Sequence, residues 1–241
     1  QNYTNPIRIA NPNTRHVWFD CTYQKNRAIL KYLNNFDQQV LDSTIEALQN
    51  QIDSWDHPNI VKVLDYDFNE KDASNCQLII CQEKGLYSLR DEIDKKTRMD
   101  AYACWLLLEQ LTLALNYAQT KFYVSHGNIK PSNVICFDQT KKVYKLSEFG
   151  SGTVESSKED KLKAKAQDST QNEYLAPEVK LCTDKEEQYL DWFANDVYSL
   201  GILALDMLGY KVEYLRGKSP ESQEVEDFFF SVFDDLYNSV E

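Results

Sequence analysis

This 241-residue sequence predicts an α+β fold of two lobes, the first rich in strands and the second helical. Three observations lead there. Up to residue 83 the apolar residues fall in short β-prone runs interrupted by a single stretch of helical spacing. From residue 84 onward, long segments of helical apolar character take over. Between the two, around Gly85, the order leaves a short hinge. The expected division is therefore a small lobe over 1–83 and a larger one over 84–241, the latter abbreviated at its end.

The elements follow in order. Residues 1–30 are polar with short β-prone pieces such as Val17-Trp18-Phe19, and 27–33 reads as a strand. Over 37–55, Val40, Leu41, Ile45, Leu48 and Ile52 recur at the spacing of one helix face. Pro58 ends that helix, HPNIVKVLDY resumes as a strand, and CQLIICQE supplies the next. Gly85 leads to a short helix over 88–93. Asp100 can cap a long helix whose face includes Ala103, Leu107, Leu111 and Leu115. That helix is apolar nearly all round, which predicts burial. Residues 134–137 and 143–146 predict a hairpin, 151–171 a long polar exposed loop, and 196–208 a second buried helix. The acidic tail from Ser219 contains Phe228-Phe229-Phe230, which must pack on something, and there is no internal repeat.

Composition excludes several function classes. A net charge of -12 argues against nucleic acid or an anionic membrane as partner; it would attract a basic protein surface, but reads first as a solvated acidic face. No apolar run approaches the roughly 18 residues that cross a bilayer; Glu109 interrupts the richest, 101–108. No signal peptide is visible over residues 1–10. Cys21, Cys76, Cys81, Cys104, Cys136 and Cys182 are scattered without a C-x-x-C pair, which suits a reducing compartment rather than zinc or a disulfide framework.

Five short motifs stand in a set order: HPNI at 57–60, HGNIKPSN at 126–133, EFG at 148–150, EYLAPE at 173–178 and DVYSLG at 196–201. Each alone is weak, but their order is not. In it the sequence resembles the eukaryotic protein kinase family over roughly residues 15–240, most clearly over 57–208. The resemblance implies a two-lobed kinase-like fold, with His126, Lys130 and Asn133 in the catalytic loop and Asn133 as a magnesium ligand. It also implies a packed spine of Ile52, Val63, His126 and Phe149 linking the lobes. Asp196 matches a helix-start acid that receives amides from the catalytic loop. Pro177 and Glu178 match as well, with no identified arginine for Glu178.

The departures concern chemistry. Asn128 replaces the catalytic aspartate, and an amide takes no proton at neutral pH; loss of general-base help costs roughly 100- to 10,000-fold. Glu148 replaces the metal-binding aspartate. Its extra methylene moves the carboxylate by about 1.5 Å, which magnesium's octahedral geometry tolerates poorly. The phosphate lid, expected near residues 9–18, has no glycine, and Pro12 removes an amide. Lys31 matches the lysine that pairs with nucleotide phosphates, yet its expected helix partner falls at Leu48, with Glu46 on another face. Ile29 stands where the family has alanine above the adenine ring, and Gln171 where a threonine braces the catalytic pair.

These departures imply a catalytically impaired, pseudokinase-type protein acting as a scaffold, structural or allosteric binding module. Asn128 and Lys130 hold the catalytic positions, Lys31 the nucleotide position, and Asn133 and Glu148 the metal positions. No cofactor is expected, with ATP and magnesium held weakly if at all. The alternatives are an atypical active Ser/Thr protein kinase that uses ATP, and a nucleotide-sensing module without turnover. Partners would be other proteins in a larger assembly, at a cytoplasmic location that could be cytoskeletal or ciliary.

Overall fold

The structure, a computed structural model, describes residues 3–9, 17–36, 38–70, 76–95, 98–149, 173–181, 190–219 and 221–238. The expected loop 151–171, the stretch 10–16 with Pro12, Gly150 and Cys182 lie outside the described residues.

The first lobe is a five-stranded antiparallel sheet in the order β1-β2-β3-β5-β4: β1 Tyr3–Ile9, β2 Val17–Tyr23, β3 Asn26–Phe36, β4 Val63–Glu70 and β5 Cys76–Glu83. β1 was not anticipated, and β3 runs three residues past the expected strand. Helix α1, Gln38–Ser54, lies against the sheet because Leu41, Leu48 and the half-buried Ile45 and Ile52 share one face. That face packs with Leu33, Val63, Cys76 and Leu78. Each fully buried leucine here stabilises by about 1.5–3 kcal/mol. On the sheet's other face, Cys21, Tyr23, Ala28, Leu30 and Cys81 form a separate cluster.

The second lobe begins at Gly85. A side chain there would bring Cβ within 2.3 Å of Ile135, so only glycine lets the crossing chain lie on the hairpin below. β6 (Tyr87–Ser88) pairs with β7 (Val134–Asp138), which forms the expected hairpin with β8 (Val143–Leu146). Helix α2, Leu89–Asp94, starts with a capping box in which Ser88 and Asp91 each receive the other's amide. Helix α3, Ala101–Phe122, is capped by Asp100 as expected. Its Leu107, Leu111, Ala114 and Ala118 face helix α5, Trp192–Met207, through Ile202, Leu203 and Met207. The short helix α4 (Pro177–Leu181) and the longer α6 (Gln223–Asn238) flank α5 in sequence.

Three expectations are corrected. Helix α3 is not buried all round: Tyr102 and Trp105 are 69% and 55% exposed on a face with no covering element among the described residues. Helix α5 begins at Trp192, not at Asp196, because Asp191 caps it by accepting the Phe193 and Ala194 amides. Of the tail aromatics, Phe228 and Phe229 pack on the core while Phe230 stays 64% exposed. The five described cysteines are buried, and Cys21, Cys81, Cys104 and Cys136 are free thiols. Among the described residues no helix is long and apolar enough to cross a membrane.

The lobes are joined by the segment after α1. The Val61 amide donates to the Leu146 carbonyl and the Leu146 amide to the Asn59 carbonyl, both at 2.8 Å. Asn59 Nδ2 donates to the Tyr144 carbonyl at 2.8 Å. Trp55 stacks on Phe122, with ring centroids 4.8 Å apart, and meets Phe149 edge-on at 5.2 Å.

Candidate active-site cleft

The cleft roof is the β2–β3 hairpin, whose turn residues Gln24 and Lys25 both have positive φ. That two-residue turn fixes the register, so Trp18 lies opposite Lys31 and Asp20 opposite Ile29. Strand alternation puts these four on the face shared with α1. Ile29 is half-buried there. The Lys31 ammonium lies 5.3 Å from the Trp18 ring centroid.

Lys31 does not reach α1. Leu48 is buried in the lobe's core and Glu46 is exposed, as the spacing implied. Its partner is Glu148: Lys31 Nζ donates to Glu148 Oε1 at 2.6 Å, with side chains 8% and 15% exposed. Glu148 sits in left-handed backbone, φ 69°, which costs a non-glycine residue strain and turns its carboxylate toward the roof. A pair this dry is strong only while both partners are present.

The loop below holds its shape through buried polar contacts. Asp196 accepts the His126 amide at 2.7 Å and the Gly127 amide at 2.8 Å, from one turn inside α5. Gly127 has φ 71°, a conformation the family's arginine would find strained, which gives glycine a reason at this position. His126 Nδ1 accepts the Asn128 amide at 3.2 Å, so Nε2 carries the proton and donates to the Ser147 carbonyl at 2.9 Å. Burial pushes this imidazole's pKa down from 6.5 to about 4, so it is neutral near pH 7. Asn133 Nδ2 donates to the Asn128 carbonyl at 2.8 Å, and Asn133's own carbonyl accepts the Ser147 amide and hydroxyl at 2.9 and 3.0 Å. Asn128 and Lys130 are half-buried at the loop surface.

A magnesium ion at Glu148 would compete with the Lys31 ammonium. Among the described residues, Glu148 is the carboxylate at the place where the family binds the metal, and the Lys31 ammonium holds it at 2.6 Å. Among the described residues no three His, Cys, Asp or Glu side chains cluster as metal ligands. Magnesium would have to displace Lys31, and it favours near-ideal octahedral oxygen sets.

Two of the expected spine residues lie in each lobe. Ile52 and Val63 belong to the first lobe's cluster, while His126 and Phe149 pair at 4.7 Å in the second. Trp55 meets Phe149 edge-on across the junction, and Gln51 Nε2 donates to the Phe149 carbonyl at 3.3 Å. Sequence reasoning missed Trp55, although a tryptophan just past a helix end and beside HPNI was a visible anchor.

Three further polar clusters were also missed. Asp20 pairs with Lys84 at the lobe crossing and with Arg27 at 3.3 Å; the Lys84 hydrogen bond holds its carboxyl below the usual range. The Tyr174 hydroxyl donates to Asp206 at 2.5 Å and receives Arg90 at 2.9 Å. Burial still raises the Asp206 pKa against those two partners. Glu173, 2% exposed, takes a two-pronged contact from Arg216, whose Nε and Nη2 each lie 2.8 Å from a carboxylate oxygen. Arg216 therefore serves Glu173, whereas Glu178 is exposed.

A strand-rich lobe over a helical one, with a His-x-Asn-x-Lys-x-x-Asn loop at their junction, defines the class as a kinase-fold domain. The chain belongs to the protein kinase family: the protein kinase domain matches residues 21–237. It is 28% identical over 182 residues to the serine/threonine-protein kinase CHK1 of Saccharomyces cerevisiae, covering 74% of this chain and 31% of that protein. It is 31% identical over 163 residues to the MAP kinase kinase mkk-4 of Caenorhabditis elegans, covering 67% of this chain and 42% of that protein. The mitosis inhibitor protein kinase SWE1 of Saccharomyces cerevisiae is 28% identical over 169 residues, covering 68% of this chain and 19% of that protein. The chain thus spans less than half the length of these relatives.

Proposed function

We propose that this kinase-fold chain does not transfer phosphate and works as a scaffold or allosteric binding module for other proteins. The observation that carries the reading is the 2.6 Å pair of Lys31 with Glu148, two groups that phosphoryl transfer needs for nucleotide and metal. Here each neutralises the other. Asn128 adds an independent loss, since its amide is no base. What persists is the packing that gives a kinase its shape, from the Asp196 amide clamp to the Arg216–Glu173 pair. Protein partners in a larger assembly at a cytoplasmic location, with ATP and magnesium weakly held or not at all, complete the proposal.

The test is a thermal-unfolding titration with Mg-ATP, run alongside radiolabel transfer from γ-labelled ATP to the chain and to generic protein substrates. The expected result is no shift in Tm and no transfer. A shift of several degrees without transfer would replace this reading by a nucleotide sensor, because ligand binding alone stabilises a fold. Transfer above background that disappears in Lys31→Ala would make the chain an atypical active kinase.

A further inference from the structure

Helix α3 turns its buried residues to one side, and among the described residues no element covers the opposite side. Tyr102, Trp105 and Leu113 are 69%, 55% and 51% exposed there, and Tyr123 at the helix cap is 83% exposed. The Tyr102 and Trp105 rings stack with centroids 6.2 Å apart, and Tyr123 meets Phe193 edge-on at 5.3 Å. Rings braced in this way are rigid apolar anchors of the kind that interfaces use. We propose that this face joins two copies of the chain as an antiparallel dimer with two-fold symmetry. Two properties favour a second copy as the occupant.

The first is charge. Each copy carries a net charge of -12, so two copies repel wherever their acidic surfaces meet. Along the 22 residues of α3 there is one carboxylate, Glu109, and one ammonium, Lys121. This helix is therefore a place where two such chains can approach with little local repulsion.

The second is spacing. From Tyr102 to Tyr123 the exposed positions of the outward stripe follow at steps of 3, 4, 3, 1, 3, 4 and 3 residues, which read the same in both directions. Ala101, Gln119 and Lys121 are also exposed but lie to either side of that stripe. A two-fold axis between Thr112 and Leu113 pairs positions whose numbers add to 225, and every stripe position then meets another. Tyr102 of one copy meets Tyr123 of the other, and Trp105 meets Thr120. At the middle, the Glu109 carboxylate faces the Asn116 amide, which can donate to it. A parallel pair would set Glu109 against Glu109, and it would align the two helix dipoles instead of opposing them. A single helix pair about 30 Å long is a small interface, so a Kd on the order of 10 µM is expected, with the chain monomeric below about 1 µM. The inference rests on α3 alone and goes beyond the proposed function, so its failure leaves the reading of the cleft unchanged.

The experiment is sedimentation equilibrium of the intact chain from about 1 to about 100 µM, at low and at high salt. A dimer is expected that tightens with salt, because screening removes the repulsion between two acidic copies. Leu113→Glu sets a charge beside the axis and is expected to weaken the dimer about tenfold or more. Val197→Glu adds the same charge at a 70% exposed site on α5 and is expected to change it less than about twofold. Both substitutions lie at exposed positions, and unchanged thermal unfolding of each variant below about 1 µM confirms that the fold is kept. Single cysteines then report the direction of pairing under mild oxidation, against the unsubstituted chain as background. Thr112→Cys is expected to cross-link, since position 112 lies beside the axis. Thr120→Cys is expected not to, since its two copies would lie about 22 Å apart along the helices. A monomer at every concentration and salt would overturn the proposal, as would a dimer that Leu113→Glu weakens no more than Val197→Glu does. A cross-link through Thr120→Cys, or none through Thr112→Cys, would overturn the antiparallel arrangement.

Discussion

His126 shows how far one side chain can be committed to shape rather than chemistry. Its imidazole is 1% exposed, with Phe149 at 4.7 Å, the Asn128 amide on one nitrogen and the Ser147 carbonyl on the other. Desolvation lowers its pKa to about 4, outweighing the Ser147 carbonyl and Glu148, which favour the charged form; Lys130 lowers it further. Unfolded, the same group titrates near 6.5. Between those values the unfolded chain binds a proton that the folded chain refuses, so stability is complete above about pH 6.5 and declines as pH falls toward 4. The contribution at stake is about 3 kcal/mol. Urea unfolding of the native chain and of His126→Phe at pH 7.5 and pH 5 isolates it, since carboxylates act on both. The variant is expected to be less stable at pH 7.5 yet to lose less between the two pH values. Equal losses would mean that His126 is not held neutral.

At the scale of elements, the join between α4 and the turn after α5 rests on Arg216 and Glu173. The glutamate is almost fully buried and the arginine is 41% exposed, so removing the arginine strands a charge that water cannot reach. Arg216→Ala is expected to cost about 2 kcal/mol, below the roughly 3–5 kcal/mol for breaking a fully buried pair, because one partner is already wet. Arg216→Lys keeps the charge but not the two-pronged geometry, so an intermediate loss is expected. Adding Glu173→Gln to Arg216→Ala is expected to recover part of the stability in urea unfolding; a further loss instead would show that the carboxylate is held by other groups. The same scale shows what the sequence could disclose. β5, the β7–β8 hairpin and the Asp100 cap were legible because apolar runs and turn residues marked them locally. β1 was not, since its central five residues are all exposed and show no alternation. The β2–β3 turn was hidden because Gln24 and Lys25 adopt φ of 45° and 72° without the glycine or asparagine that usually announces it. Counting out from that turn would have placed Trp18 opposite Lys31. The motifs disclosed Lys31, His126, Asn133 and Glu148 one by one. The Lys31–Glu148 contact spans 117 residues of sequence and has no local signature.

For the whole molecule, the question is what makes two lobes with separate hydrophobic clusters behave as one body. The clusters of the first lobe share no member with the large cluster of the second. Polar pairs such as Lys31–Glu148 and Lys145–Glu83 also cross, but the apolar coupling runs through the segment that leaves α1, where Trp55 is the largest side chain. It is 8% exposed, stacked on Phe122 with planes 16° apart, and edge-on to Phe149 and Tyr117. The Tyr117 hydroxyl reinforces the join by accepting the Asp56 amide at 2.9 Å. Trp55→Ala empties this site at a cost of about 3–5 kcal/mol. If Trp55 were only one more core residue, the weakened chain would still unfold in a single step. If it couples the lobes, the loss falls on the connection, and the five-stranded sheet opens before α3 does. Native-state hydrogen exchange in low denaturant distinguishes these outcomes. In the native chain, β5 and α3 amides are expected to reach a common opening free energy. In Trp55→Ala, β5 is expected to fall below α3 by more than about 1 kcal/mol. Trp105→Ala, a truncation of equal size at an exposed site, is expected to leave the two together. Parallel loss of protection in both lobes of Trp55→Ala would show that the hydrogen bonds joining Asn59 and Val61 to Leu146 suffice to couple them.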